Sequence, residues 1–274
     1  MNHNAYPDIT RLAPLLESVR AIARDAGEAI MAIYESRDFD IERKDDQTPV
    51  TAADYAAHHL IVERLGGLSP EYPILSEESD SIPFAERAGW ETYWLIDPLD
   101  GTREFIKRNG EFTVNIALIH GHDAILGVVH APALGVCYYA AEGTGAWRVN
   151  RNGSPQAIRV RTTPNCPVIA GSRSHASTSL QSLLERIGDH ELISMGSALK
   201  TCLVAEGAAD LYPRLGLTSE WDTAAAQCVL EQAGGHLTDT DGLRLRYNTK
   251  ESLLNPHFLA FGDDSRNWPA LCIK

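Results

Sequence analysis

Four apolar residues, Tyr93 to Ile96, run without a break into Asp97-Pro98-Leu99-Asp100-Gly101-Thr102. A short apolar run cut off by turn-forming residues reads as a buried strand, and this one stops abruptly at two carboxylates. A fold that accepts it must bury the strand and still make use of the acids at its end. Pro98 fixes one backbone dihedral and Gly101 permits a sharp bend. The turn can then point the Leu99 carbonyl inward and face the amides after Asp100 toward an anion, while Thr102 begins a helix. A plainer reading is that Asp97 and Asp100 merely cap that helix.

Two further segments set an acid beside apolar residues: Leu75-Ser76-Glu77-Glu78 upstream and Trp221-Asp222-Thr223-Ala224 downstream. Magnesium takes hard oxygen ligands in near-octahedral geometry and keeps several waters, so carboxylates from separate elements plus a backbone carbonyl suit it. Glu77, Asp97, Asp100, Asp222 and the Leu99 carbonyl are therefore candidate ligands. The haloacid dehalogenase type of phosphatase, with its D-x-D-G-T pattern after a strand, is a competing reading. Here the spacing is D-x-x-D-G-T, and Pro98 stands where the first carboxylate is required.

The 274 residues are 44% hydrophobic and 22% charged, as in a folded chain with one large core or two packed lobes. The longest apolar stretches, such as Thr113 to Ile119, fall far short of the roughly 20 residues that span a bilayer. Met1 to Pro7 lack the basic start and apolar run of a secretory signal, so a cytoplasmic location is expected, with loose association at the inner face of the membrane left open. A net charge of -13 and the absence of any lysine or arginine run argue against a nucleic-acid partner. A small phosphate ester is still allowed if divalent cations or a few basic side chains offset the acidity locally. The five scattered cysteines form no C-x-x-C pair and read as reduced core residues. His58-His59 and His120-x-His122 fit no coordination motif and read as surface or packing residues.

Leu12, Leu15, Leu16, Val19, Ile22, Ala26, Ile30 and Ile33 recur at helical spacing, with Pro14 suited to a first turn. A charged break, Arg37 to Gln47, precedes a second helix from Ala52 to Leu65, with Ala56, Leu60 and Ile61 on one face and Gly66-Gly67 ending it. Thr113 to Ile119, Ala124 to Val129, Val136 to Ala141 and Ala146 to Val149 follow with glycine turns between them, the pattern of an antiparallel meander. Beyond Gly153-Ser154-Pro155 short strands such as Val168 to Ala170 alternate with helices around Leu180 to Ile187 and Thr223 to Ala233. These patterns predict an α+β lobe over residues 1–154 and an α/β lobe over 155–274.

Six segments in this order resemble the inositol monophosphatase superfamily and, within it, the bacterial 3'(2'),5'-bisphosphate nucleotidases. They are Thr48 to Asp54, Leu75 to Glu78, Trp94 to Phe105, Gly196-Ser-Ala-Leu-Lys200, Ala205 to Arg214 and Trp221-Asp222. Arg103 stands where lysine is usual. The resemblance implies a layered αβαβα sandwich with the two lobes meeting at a metal site. It implies two or three Mg2+ ions held by Glu77, Asp97, the Leu99 carbonyl, Asp100 and Asp222, several of which then also face the substrate, and it implies sensitivity to lithium. Gly101 and Thr102 would touch the phosphate, and Asp54 with Thr102 would orient and deprotonate the attacking water. Glu77 counts with them among the catalytic residues. Glu78 and Lys44 lie in comparable segments, where holding a loop and plain surface solvation are both open.

Inositol phosphatases of this superfamily carry an acidic residue shortly before the Trp-Asp pair, whereas this chain has Tyr212-Pro213-Arg214. A guanidinium cannot replace a carboxylate as acceptor, but it suits a second phosphate. Lys200 and Gly171-Ser-Arg-Ser-His175 offer further contacts to a 5'-phosphate and adenosine. Adenosine 3',5'-bisphosphate is the leading expected substrate, a small-molecule nucleotide, with the protein acting as a monomer or homodimer. Inositol monophosphate or a sugar phosphate is the alternative substrate. A non-catalytic cation-binding protein is the alternative of another class.

Overall fold

The computed structural model describes residues 9–35, 41–43, 49–79, 81–171 and 178–272. Helix α1 covers Ile9–Glu35 and α2 covers Ala52–Gly66, and between them β1 (Ile41–Arg43) and β2 (Pro49–Thr51) pair antiparallel. The charged break thus contains a short strand that its composition conceals. Pro14 lies inside α1 rather than in its first turn, because the helix starts earlier, at Ile9; the proline removes only the one hydrogen bond its nitrogen cannot donate. In α2 the buried residues are Ala53, Asp54, Ala57, Ile61 and Leu65. Of the expected face, Leu60 packs half-buried against the core and Ala56 lies at its margin, while the four-residue row from Ala53 to Leu65 is the part fully buried.

A seven-stranded sheet has the order β3-β4-β5-β6-β7-β8-β9. Strand β3 (Ile74–Ser76) runs parallel to β4 (Thr92–Asp100), with the short helix α3 (Phe84–Arg87) between them in the chain. After helix α4 (Thr102–Ile106) come β5 (Thr113–His120), β6 (Asp123–Ala131), β7 (Val136–Ala141), β8 (Gly145–Asn150) and β9 (Gln156–Ile158). These pair antiparallel in turn, the meander that the glycine turns foreshadow. Strand alternation splits the core. Trp94 and Ile96 of β4, with Val114, Ile116 and Leu118 of β5, pack toward α1 and α2. Tyr93, Leu95, Ala117 and Ile119 point to the opposite face. Each fully buried Val, Ile or Leu among them contributes about 1.5–3 kcal/mol of transfer free energy.

A second sheet has the order β11-β10-β12-β14-β13, built from β10 (Val168–Gly171), β11 (Glu191–Ser194), β12 (Leu211–Arg214), β13 (His236–Asp239) and β14 (Phe258–Phe261). Pro213 is tolerated inside β12 because β10 pairs with that strand only at Leu211. Helices α6 (Leu199–Ala205) and α7 (Ala224–Gln232) lie between the two sheets, and α5 (Thr178–Ile187) packs its Leu183 and Ile187 with Ile169, Leu211 and Leu259 of the second sheet. The layers are therefore helix, sheet, helix, sheet, helix. Helix α7 comes so close to β6 that a Cβ on Gly127 would sit 2.2 Å from the Ala225 carbonyl oxygen. All five cysteines are free, but Cys166 is exposed, contrary to the core reading, since it sits in the irregular connection between β9 and β10. Among the described residues no helix is long and apolar enough to cross a membrane.

Candidate active site

Asp97 and Asp100 are three residues apart, which in a regular strand would send them to opposite faces. Their partners on β5, Asn115 and Thr113, are two apart, so β4 carries one extra residue here. This bulge brings both carboxylates to the face that looks toward the second sheet. Strand β4 therefore runs through the acids instead of stopping at Asp97, and Pro98, which has no N–H to offer a ladder, sits in the irregularity. Glu77 directly follows β3, and its amide donates to the Ile96 carbonyl at 3.2 Å, extending the parallel ladder until Glu77 lies alongside Asp97. Asp222 arrives from elsewhere, on the single 3-10 turn Glu220–Asp222 that follows β12 in the chain.

Glu77, Asp97 and Asp222 each present a carboxylate oxygen, all within 4.8 Å of one another. Burial raises the Asp97 carboxyl well above its usual range, and Glu77, Asp100, Asp222 and Asp54 push it further. Asp222 is pushed up to about 8 by burial and then by Asp100 and Glu77. Such a group stays ionised only if positive charge sits among the oxygens, and an all-oxygen donor set suits a hard divalent cation. Asp54, in the first turn of α2, is buried and close enough to repel Asp97.

Asp100 is held from one side. Its Oδ2 accepts the Ala198 amide at 2.7 Å, and Thr113 Oγ1 and Asn115 Nδ2 approach it at 3.4 Å. Its pKa is raised by burial, drawn back by Lys200, the Ala198 amide and the Asn115 side chain, and pushed up again by Glu104. The capping reading does not hold: the N-cap of α4 is Gly101, and no side chain caps that end. Gly101 has φ +92°, and a Cβ there would come within 2.3 Å of Ser197 Oγ. Ser197 Oγ instead lies 2.9 and 2.7 Å from the Asp100 and Glu111 carbonyl oxygens and shares its one proton between them, clamping the turn. Leu99 is buried and its amide donates to Asp97 Oδ1 at 3.1 Å, while Thr102 opens α4.

A cavity of about 140 Å³ has Asp100 and Asp222 in its lining, together with Lys200, Tyr212 and Arg214. Lys200 is almost fully buried; its ammonium donates to the Ser197 and Met195 carbonyls at 2.7 and 3.2 Å. Burial lowers its pKa to about 8, against the pull of Asp100. Arg214 Nη2 donates to the Leu217 carbonyl at 2.8 Å. The structure thus gathers Glu77, Asp97 and Asp222 directly, sets Asp100 beside them, and puts Lys200 and Arg214 on the same cavity. Lys44 and Ser172 to His175 lie outside the described residues. The sequence reading missed Ser197, Ala198, Thr113 and Asn115. Thr113 and Asn115 had a signal, two polar residues at alternate positions of an otherwise apolar strand.

Residues 11–264 match the inositol monophosphatase family. The chain is 52% identical over 245 residues to the 3'(2'),5'-bisphosphate nucleotidase CysQ of Salmonella typhimurium, covering 89% of this chain and 98% of that protein. It is 51% identical over the same shares to the Escherichia coli K12 enzyme of that name. The crystal structure of CysQ from Bacteroides thetaiotaomicron, described as a bacterial member of the inositol monophosphatase family, aligns with a TM-score of 0.80 at 40% identity, covering 91% of this chain and 97% of that one. With matching sequence over nearly its full length, the same fold and an acid cluster on the bulged strand, this chain belongs to the inositol monophosphatase family.

Proposed function

We propose that this chain is a magnesium-dependent phosphomonoesterase that hydrolyses adenosine 3',5'-bisphosphate to AMP and phosphate, in the nucleotide turnover of sulfur metabolism. The observation that carries the reading is one cavity with Asp100 and Asp222 among its acids and Arg103, Lys200 and Arg214 as its cations, a pattern suited to a substrate with two phosphates. The relatives at about half identity, named bisphosphate nucleotidases, support the same substrate class. The lobe division near Ser154, with Asp222 and the specificity residues in the second lobe, is part of this reading.

On this reading Glu77, Asp97, the Leu99 carbonyl, Asp100 and Asp222 hold two or three Mg2+ ions. When bound, magnesium supplies the charge that offsets the phosphoryl oxygens and eases deprotonation of water. Thr102 and Asp54 orient the attacking water, and Asp54 accepts its proton. The water oxygen bonds to phosphorus, the ester bond to the 3'-oxygen breaks, and that oxygen leaves and takes up a proton from solvent. Gly101 and Thr102 steady the reacting phosphate through the α4 N-terminus, while Lys200 and Arg214 bind the second one and so select nucleotide bisphosphates over inositol phosphates.

A phosphate-release panel tests this reading. With Mg2+ present, adenosine 3',5'-bisphosphate is expected to be turned over with a higher kcat/KM than inositol 1-phosphate or fructose 1,6-bisphosphate. A preference for either of the others would reassign the substrate.

A further inference from the structure

Glu77 and Asp97 have their separation set by the hydrogen bonds of adjacent parallel strands, but Asp222 has no such support. It stands on one 3-10 turn, and its own Oδ2 accepts the Ser219 amide at 2.8 Å, which fixes the carboxylate to that turn. The turn itself is held at its start, where the Ser219 carbonyl accepts Asn255 Nδ2 at 2.6 Å, and at Glu220.

A buried chain of polar groups reaches the turn from the connection between β3 and β4. Arg87, at the end of α3 and thus between β3 and β4 in the sequence, is 1% exposed. Its guanidinium donates to Asn248 Oδ1 and to the Glu251 carbonyl, and its own carbonyl accepts Asn248 Nδ2 at 2.6 Å. Asn248, also buried and in the left-handed region at φ +54°, donates its amide to Glu220 Oε2 at 2.8 Å. The Glu220 amide in turn donates to the Leu253 carbonyl at 2.8 Å. Glu220 is the first residue of the turn whose last residue is Asp222.

A buried guanidinium whose hydrogen bonds go to neutral oxygens costs more than an apolar side chain of the same size. Magnesium, with ligand distances fixed near 2.0–2.1 Å, tolerates little misplacement of a carboxylate. We infer that Arg87 and Asn248 are positioning residues that aim the Glu220–Asp222 turn, tying it to the connection between β3 and β4, so that Asp222 meets Glu77 and Asp97 at one cation. The inference rests on the proposed role of Asp222 in holding magnesium.

Isothermal titration of the substrate-free protein with Mg2+ tests it, alongside melts in chelator and circular dichroism to establish folding. Arg87→Met and Asn248→Gly are expected to weaken Mg2+ binding about tenfold, the low end of the about ten- to hundredfold effect of losing a partner bonded directly to a ligand. Arg87→Lys, which keeps one donor, should fall between them and the unmodified protein. At saturating Mg2+ the KM for the bisphosphate should stay unchanged. A folded Arg87→Met protein with unaltered Mg2+ affinity would overturn the inference, as would a lower Tm with intact affinity, the signature of a merely structural link. If Arg87→Met does not fold, Asn248→Gly decides, because glycine accepts the left-handed backbone and the arginine stays. Asp222→Asn separates the two layers: unchanged Mg2+ binding there would refute the ligand reading itself, whereas weakened binding there alone would refute only the role of Arg87 and Asn248.

Discussion

The two ends of the cavity are built in opposite ways. At the acidic end Asp97 and Asp100 share one bulged strand and Glu77 extends its parallel neighbour, so sheet hydrogen bonds set their spacing. At the basic end Lys200, on α6, leans on the Met195 and Ser197 carbonyls and Arg214, the last residue of β12, on the Leu217 carbonyl, and these three acceptors lie on connecting segments. A buried sheet tolerates little change in geometry, whereas connections vary without disturbing it. On the proposed function the difference teaches a division of labour: the ions and the reacting phosphate are held by groups spaced by the first sheet, and the second phosphate is held by cations of α6 and β12 whose own supports come from connections.

The largest expected effect tests the acidic end as a whole. Exhaustive chelation should abolish phosphate release, and added Mg2+ should restore it; undiminished turnover without metal would break the comparison outright. Within that end, Asp54→Asn should lower kcat by about 10² to 10⁴ at saturating Mg2+, the usual worth of general-base assistance, with the magnesium midpoint unchanged. Complete rescue by excess Mg2+ would move Asp54 from the water to the ions.

The smallest effect is on stability. Asp222, pushed up to about 8, keeps its proton in the metal-free folded state at a pH where the unfolded chain, with the usual value of 3.8, has lost it. Across that window the folded state binds more protons, so stability falls as pH rises. Melts in chelator at about pH 5 and about pH 8 should give a Tm lower at the higher pH by on the order of a few degrees. Mg2+ should close the gap. Equal values without metal would mean that the acids do not repel one another as their spacing requires.

Much of the acidic end was legible in the sequence because its residues are neighbours in the chain. Tyr93 to Thr102 encodes a strand, a proline-marked irregularity and a helix start, and the meander after it alternates as strands do. The bulge was not legible, since one extra residue appears only against the partner strand. The hold of Ala198 on Asp100 spans 98 residues and that of Arg87 on Asn248 spans 161, and neither leaves a local pattern. Lys200 and Arg214 stood out only by resemblance. In periodicity alone Lys200 is one residue of an apolar helix that buries it.

The division of labour is tested most directly by the ratio of kcat/KM for adenosine 3',5'-bisphosphate to that for adenosine 3'-monophosphate, measured in the unmodified protein and in Arg214→Gln. Both substrates offer the same reacting phosphate, and only the first has the second one. The account predicts that the ratio collapses about 10- to 100-fold in the variant, as for a lost charged hydrogen bond of about 1.5–3 kcal/mol, while the monophosphate is hydrolysed as before. Equal losses on both substrates would contradict it, because Arg214 would then serve the reaction and not the choice.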